Sequence, residues 1–204
     1  MINIGGALIT LAIILFSMVL HELAHGVVAY FLGDTTAKED GRLTLNPLKH
    51  LDPYMSVLLP MMLYFMHAPV FGGAKPVPVN PHRLKGKEWG MALVALAGPL
   101  TNFLLAFVAF LVMRFSEISD FGYQFMTINL GFMIFNLLPI PPLDGSRILY
   151  AISPDAVRKF LNSMEVYGVF VVYFLILFLG NVFSGIMLDG MNAVLKFFVF
   201  ITGA

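Results

Sequence analysis

Long apolar stretches separated by short polar segments organise this chain of 204 residues. Four apolar stretches, 4–32, 89–113, 121–138 and 166–188, approach or exceed the roughly 18 to 20 residues that a helix needs to cross a bilayer. Each is bounded by polar or turn-forming residues, and Gly33 can end the first helix. The pattern therefore predicts a bundle of membrane-spanning helices.

Two further apolar stretches are shorter. Residues 54–66 are interrupted by Pro60, which favours a re-entrant hairpin or a short, bent helix. Residues 191–203 contain Lys196, so a complete crossing is less clearly indicated there. Counting both, we expect an all-α integral membrane protein with about five to six transmembrane helices.

The segments between these stretches carry turn and interface signals. In "FGGAKPVPVNP" (71–81), alternating prolines force extended backbone, so we expect a re-entrant or extended membrane-associated loop between the first span and the span at 89–113. Ser153 is a candidate N-cap, with Pro154 at the first position of an interfacial helix.

Composition supports a membrane location and excludes several functions. The chain is 59% apolar and 12% charged, with a mean hydropathy of +0.86, whereas soluble domains carry about 25% charged residues. Lys+Arg and Asp+Glu both total 12, which gives no reason to expect a nucleic-acid partner. Cysteine is absent, which excludes disulfides and thiolate ligands. We expect one domain, 1–204, with a catalytic core at about 4–150 and C-terminal helices at 154–204.

One motif within the first span carries chemistry. His21, Glu22 and His25 form H-E-x-x-H, and histidines four residues apart lie on one helix face, where both imidazoles can bind one cation. Glu22 lies at the flank of that face, where it can accept a proton from water. Ionisable side chains within a membrane span are costly and are usually retained for function. We therefore predict a metal site here rather than incidental polar residues lining a water-filled crevice.

A catalytic zinc ion takes three protein ligands, so the site needs a third. The loop histidines are candidates by residue type: His50, His67 and His82. Asp144 is better placed, because "NLLPIPPLDGSR" follows the span 121–138 directly and irregular backbone at membrane depth lines protein or an aqueous cavity. Taken alone, Asp144 before Gly145 is also an ordinary turn residue.

Charge distribution gives an orientation. If His21 and Asp144 meet, the segment 33–88 begins and ends on one side of the membrane, and most basic residues fall on that side. The positive-inside rule makes that side cytosolic and puts the N-terminus outside. We therefore predict a cell membrane, the inner membrane of a prokaryote, with the site toward the cytosol.

These residues resemble the site-2 protease family of intramembrane zinc metalloproteases. The resemblance covers "HELAH" (21–25), "AGPLTN" (97–102) and "NLLPIPPLDG" (136–145), in the family's order and in the expected spans. It matches the compact prokaryotic branch, because no PDZ-like insert separates the motifs and no regulatory domain follows.

The resemblance implies roles for individual residues. His21, His25 and Asp144 would bind one Zn²⁺ per chain, and Glu22 would be the general base. Asn102 and Asn136 match family asparagines near the substrate, where an amide could donate to an oxyanion, although Asn102 could equally make an interhelical hydrogen bond. The loop 71–81 could pair with an unwound substrate strand or simply cap the site.

The implied activity is hydrolysis of a peptide bond in or near a transmembrane segment of a membrane protein substrate, as in regulated intramembrane proteolysis. The alternatives are a metal-binding membrane transporter, another non-proteolytic metal-dependent membrane protein, or a catalytically silent membrane scaffold. A transporter would more often show repeat-related half-sites, and the sequence shows none. A zincin with a glutamate as third ligand is also possible; the candidates are Glu88, Glu117 and Glu165.

Overall fold

The computed structural model describes residues 4–66, 72–115 and 119–203, and within these ranges it contains helices and no strand. His67 and Glu117 therefore lie outside the described residues. The α-helices in chain order are α1 (Ile4–Phe31), α2 (Thr36–Glu39), α3 (Leu59–Phe65), α4 (Lys87–Phe115), α5 (Ser119–Leu137), α6 (Asp144–Ile152), α7 (Asp155–Glu165), α8 (Gly168–Phe178) and α9 (Gly180–Thr202).

Helix α4 is the centre of the bundle, because α1, α5 and α6 all pack against it. Phe198 of helix α9 is fully buried in the contact between α9 and α4. Its ring centroid lies 5.2, 5.0 and 5.5 Å from those of Phe103, Phe107 and Phe110 on α4. This aromatic cluster joins the last helix to the helix that also contacts α1.

The outer surface is apolar. Large side chains such as Leu8 on α1, Val108 on α4 and Phe200 on α9 are exposed, the last by 82%. A surface of this kind is far larger than the apolar patches of soluble monomers. Within the described ranges, three helices are long and apolar enough to cross a bilayer: those within 5–31, 87–115 and 180–202. The protein is therefore an all-helical membrane protein.

The expected count of five to six spans is not confirmed. The candidates among the described residues number three, or four if α7 and α8, which are bent by 84° at their junction, form one broken span. Helix α5 is long enough but more polar, and two of its polar side chains, Gln124 and Asn129, point inward. Gln124 donates to the Thr10 hydroxyl of α1 at 2.5 Å, and Asn129 is fully buried.

Three boundary predictions were wrong. The stretch 166–188 is not one helix, because the chain leaves helical geometry at Leu179 (φ −118°, ψ 25°), and a long α9 begins at Gly180. Ser153 is not the N-cap of α7, since its hydroxyl donates to Leu149 O of α6 and Pro154 takes the cap position. Asp144 does not lie in an irregular stretch: it is the first residue of α6.

Other local predictions are confirmed. Helix α1 ends at Phe31, and Gly33 adopts the left-handed conformation (φ +100°) that places its N–H on Tyr30 O. Residues 53–58 form a π-helical turn leading into α3, so the stretch 54–66 is a short helical segment as far as the chain is described. Residues 72–80 have no regular secondary structure, as the prolines predicted.

The segment 72–80 is nevertheless fixed in place by hydrogen bonds. The Lys75 N–H donates to His50 O, and the Arg42 guanidinium donates to Lys75 O at 2.7 Å. At its far end the Asn80 N–H donates to the buried Asp34 carboxylate at 2.6 Å. These contacts hold the segment against the end of α1, which also carries the histidines.

Candidate metal centre

Two histidines of α1 direct one nitrogen each toward the same point. One helical turn separates His21 and His25, and their Nε2 atoms lie 3.0 Å apart. Both side chains are buried, at 7% and 8% exposure. The rings meet edge to face, with centroids 4.7 Å apart. The helical spacing therefore produces the shared focus that the sequence predicted.

The other ring nitrogen of each histidine is held by an acceptor on α4. His25 Nδ1 lies 2.7 Å from the backbone carbonyl of Val94, and His21 Nδ1 lies 2.6 Å from Asn102 Oδ1. A carbonyl can only accept, so each Nδ1 carries a proton, and the neutral form of each ring presents an Nε2 lone pair. Two lone pairs at 3.0 Å repel each other unless a proton or a metal ion lies between them.

Asp144 completes the group. Its Oδ2 lies 3.2 Å from His21 Nε2 and 3.4 Å from His25 Nε2, and this oxygen is buried with no hydrogen-bond partner in the described part of the chain. Tetrahedral ligands at zinc bond lengths of about 2.0–2.1 Å are separated by about 3.3–3.4 Å. The three separations of 3.0, 3.2 and 3.4 Å therefore fit a zinc ion bound by two imidazoles and one carboxylate.

Asp144 reaches this position because the chain turns tightly after α5. A Cβ at Gly145 would collide with the carbonyl oxygens of Leu137 and Leu138, so only glycine lets α6 start this close to the end of α5. Helix α6 then packs on α4, which places its first residue beside the histidines. The Asp-Gly pair thus supplies both the carboxylate and the close approach.

Glu22 lies beside the three converging atoms but farther from them. One of its oxygens is within 4.8 Å of a ligand nitrogen of both histidines. Its Oε2 accepts a hydrogen bond from the Val77 N–H of the segment 72–80 at 2.8 Å. Asp144 thus lies at ligand distance from both histidine nitrogens, and Glu22, which is near enough to share a metal ion with them, is also close enough to exchange a proton with a group held there.

Gly98 of α4 makes room for the imidazoles. A Cβ at this position would lie 2.5 Å from His21 Nε2 and 2.6 Å from His25 Cε1, well inside ordinary contact distance. The glycine of the "AGP" element thus serves close packing, and this packing is against the histidine rings themselves.

The two asparagines of interest have different surroundings. Asn102 is fully buried, and its amide bonds both to His21 and to Asn129 of α5, where Asn102 Nδ2 donates to Asn129 Oδ1 at 2.9 Å. Asn136 is only half-buried, and its Nδ2 donates to Phe132 O of its own helix at 3.0 Å. A substrate role stays a prediction for both residues.

Other candidate ligands have different partners. His50 is fully buried, and its Nε2 lies 2.9 Å from Thr44 O, while His82 is exposed. Glu165 forms an ion pair with Arg147, and Glu88 lies in the first turn of α4.

Sequence reasoning missed three groups that contact the site residues: the Val94 carbonyl, the Val77 N–H and the Asn129 side chain. The first two are backbone groups, which no residue type reveals. A weak signal existed for the third, because Asn129 precedes Asn136 by seven residues and so shares its face of α5.

In this helical membrane protein, the ligand atoms of two histidines and one aspartate converge beside a glutamate. This arrangement is typical of the class of metallohydrolases with an H-E-x-x-H centre. Comparison with known proteins gives the same class. Over 202 residues the chain is 41% identical to a Bacillus subtilis protein named "Putative zinc metalloprotease YwhC", covering 91% of this chain and 88% of the relative. A Mycolicibacterium smegmatis protein named "Putative zinc metalloprotease Rip2" is 29% identical over 184 residues, 85% of this chain and 68% of the relative.

The family model described as "Peptidase family M50" matches residues 114–180, which include Asp144. Stage IV sporulation protein FB of Bacillus subtilis is 36% identical over 81 residues, 39% of this chain and 27% of the relative. No solved structure matches. The chain belongs to peptidase family M50, the site-2 protease family, and is a zinc metalloprotease.

Proposed function

We propose that this protease cleaves a peptide bond in or near a transmembrane segment of another membrane protein. The observation that carries this proposal is the convergence of His21 Nε2, His25 Nε2 and Asp144 Oδ2 beside Glu22, inside a bundle whose outer surface is apolar. His21, His25 and Asp144 are the zinc ligands, and Glu22 is the general base. A substrate that reaches this site must come through or beside the bilayer.

The chemistry divides between the ion and the chain. Zinc supplies Lewis acidity, which polarises a carbonyl and makes water a better nucleophile near neutral pH. Glu22 accepts the proton of the attacking water and returns it to the leaving amine. The Val77 N–H holds one Glu22 oxygen at 2.8 Å, so the other is available for the proton. The peptide carbonyl must first be freed from its own helix, so local unwinding of the substrate precedes cleavage.

We further propose that α1, α4, α5 and α9 cross the membrane and that α8 does not. Near the C-terminus of α4, Arg114 donates to Thr202 O at the end of α9. At the other end of α9, Phe183 lies against Phe135 of α5, with centroids 6.0 Å apart. Helix α9 therefore runs parallel to α4 over the full bundle. Helix α8, with 11 residues, extends only about 16 Å, roughly half the hydrocarbon core, and begins beside Pro142.

In this arrangement α4 and α9 run the same way, opposite to α1 and α5, and the start of α1 and the end of α9 lie on one side. The opposite side carries the segment 32–86 and most basic residues, so the positive-inside rule makes it cytosolic. The metal site lies toward that side, in a prokaryotic cell membrane. Because α9 packs on both α4 and α5, we treat 1–204 as a single catalytic unit. The metal-transporter alternative is not favoured, since the chain is a member of a protease family.

The decisive experiment compares Glu22→Gln and Asp144→Ala with the wild type. The purified protein is analysed for zinc, and each variant is co-expressed with a doubly tagged single-span test protein in the same membrane. We expect Glu22→Gln to keep about one zinc per chain but lose cleavage, and Asp144→Ala to lose both. Cleavage by Glu22→Gln would contradict its role as base, and full zinc in Asp144→Ala would contradict its role as ligand.

A further inference from the structure

A chain of buried amides connects the metal site to the far side of α5. His21 Nδ1 contacts Asn102 Oδ1, Asn102 Nδ2 donates to Asn129 Oδ1, and Asn129 Nδ2 donates to both Ser17 Oγ and Phe125 O, each at 2.9 Å. Ser17, Asn102 and Asn129 are completely buried. Three helices, α1, α4 and α5, contribute to this chain.

The direction of the chain is fixed at its far end. The Phe125 backbone carbonyl can only accept, so the Asn129 atom that faces it must be the NH₂ group. Asn129 then presents Oδ1 to Asn102, so Asn102 must donate from its own NH₂ group. Asn102 is left with Oδ1 toward His21, and an oxygen there requires the proton on His21 Nδ1.

The reversed arrangement is costly at every link. Flipping Asn129 would set its oxygen against Phe125 O at 2.9 Å and its NH₂ against the NH₂ of Asn102. Burial makes such unpaired groups expensive, because water cannot replace the lost partners. A flipped Asn102 alone would face His21 with a donor and move the ring proton to Nε2, the atom that faces Asp144.

We propose that Asn129 is a positioning residue for the metal site: through Asn102 it keeps His21 in the tautomer whose Nε2 lone pair can bind zinc. This inference rests on the proposed role of His21 as a ligand. His25 needs no such relay, because the Val94 carbonyl fixes its tautomer directly. The two ligands thus obtain the same protonation pattern by different means.

Zinc affinity is the appropriate measurement, because it does not depend on turnover. Outer partners of metal-binding histidines contribute about 10- to 100-fold in affinity. We expect Asn129→Leu to raise the zinc dissociation constant by about this factor in chelator competition on the detergent-purified protein. Ser17→Ala, the matched control in the same buried chain, should change it less than about 3-fold, since the Phe125 carbonyl still sets the direction.

A second variant background, Asn102→Asp, distinguishes a role of Asn129 in fixing the His21 tautomer from a general role in stabilising the fold. In the Asn102→Asp variant, the carboxylate has no donor to present to His21, so the tautomer is fixed without Asn129. The second carboxylate oxygen would face Asn129 Oδ1 in place of the donating Asn102 NH₂ group, so removing Asn129 in this background removes a repulsion and not a hydrogen bond. We therefore expect Asn129→Leu to weaken zinc binding in the otherwise wild-type chain and not to weaken it further when combined with Asn102→Asp. Asn129→Ala serves the same comparison if the leucine variant does not fold. The visible spectrum of the cobalt-loaded proteins gives an independent signature of the altered ligand set.

The outcomes are distinct. Wild-type affinity in both Asn129 variants would overturn the inference, as would equal losses in the two backgrounds, which would show a purely structural effect. Full zinc affinity in His21→Ala would instead contradict the proposed ligand set. That result separates failure of the site assignment from failure of the relay.

Discussion

Replacing Gly98 by alanine tests whether α4 shapes the metal site. The added Cβ would lie 2.5 Å from His21 Nε2 and Cε1 and 2.6 Å from His25 Cε1. Ordinary carbon contacts begin near about 3.5 Å, so either the rings or the helix must move by about 1 Å. Both rings sit between α1 and α4, and their Nδ1 atoms are already anchored to α4, so neither can move without losing a hydrogen bond.

The expected loss follows from this displacement. A misplacement of about 1 Å at a catalytic centre costs on the order of 100-fold in activity, and overpacking of a dense core costs about 1–3 kcal/mol. Gly→Ala within a helix is otherwise favourable by up to about 1 kcal/mol. We therefore expect Gly98→Ala to fold with a net loss of about 0–2 kcal/mol while zinc affinity and cleavage each fall about 100-fold.

The assay measures zinc affinity by chelator competition, cleavage of the tagged test protein, and thermal unfolding of the detergent-purified protein. Gly131→Ala in α5 is the matched control, because a Cβ there meets no atom of the described residues within 4 Å. If Gly98→Ala binds zinc and cleaves as well as Gly131→Ala, the close approach of α4 to the histidines is not what the structure indicates.

Three further predictions concern the scaffold around the site. Phe198→Ala should lower the free energy of unfolding by about 3–5 kcal/mol, because it leaves a cavity in the aromatic contact between α9 and α4. Phe200→Ala, on the exposed face of the same helix, is the control and should leave thermal unfolding nearly unchanged. Asp34→Asn should release the Asn80 N–H and speed hydrogen exchange in the segment 72–80 at neutral pH, since an amide cannot accept on both sides; unchanged exchange would refute this clamp. In the wild type the clamp should weaken only in acid: burial alone would raise the pKa of Asp34, but hydrogen bonds from Thr36 and Asn80 outweigh it and hold the pKa below 3.8. The stabilising contribution of the Asp34 carboxylate is thus complete above about pH 4 and is lost as pH falls through the lowered pKa. Hydrogen exchange in the segment 72–80 should therefore rise in acid, and Asp34→Asn should abolish that rise.

Motif spacing predicted the convergence of the two histidines better than segment length predicted the helices. H-E-x-x-H fixes two imidazoles on one helix face whatever the rest of the chain does, and the distance of 3.0 Å between His21 Nε2 and His25 Nε2 follows from that local geometry. The break at Leu179 had a weaker signal, because the turn-favouring pair Gly180-Asn181 lies within a stretch that is otherwise mostly apolar. Hydropathy reports that a segment prefers lipid, but not where its helix bends or ends.

Helix α5 shows why polarity misleads in the opposite direction. Its glutamine and asparagines lower its hydropathy below that of a typical span, yet Gln124 and Asn129 bond to α1 within the bundle. A polar side chain in such a helix is tolerated where its hydrogen-bonding groups find partners within the bundle. The residues that weaken the membrane signal of α5 are therefore those that join it to the helix carrying the histidines, and this link depends on three-dimensional packing that a linear pattern does not contain.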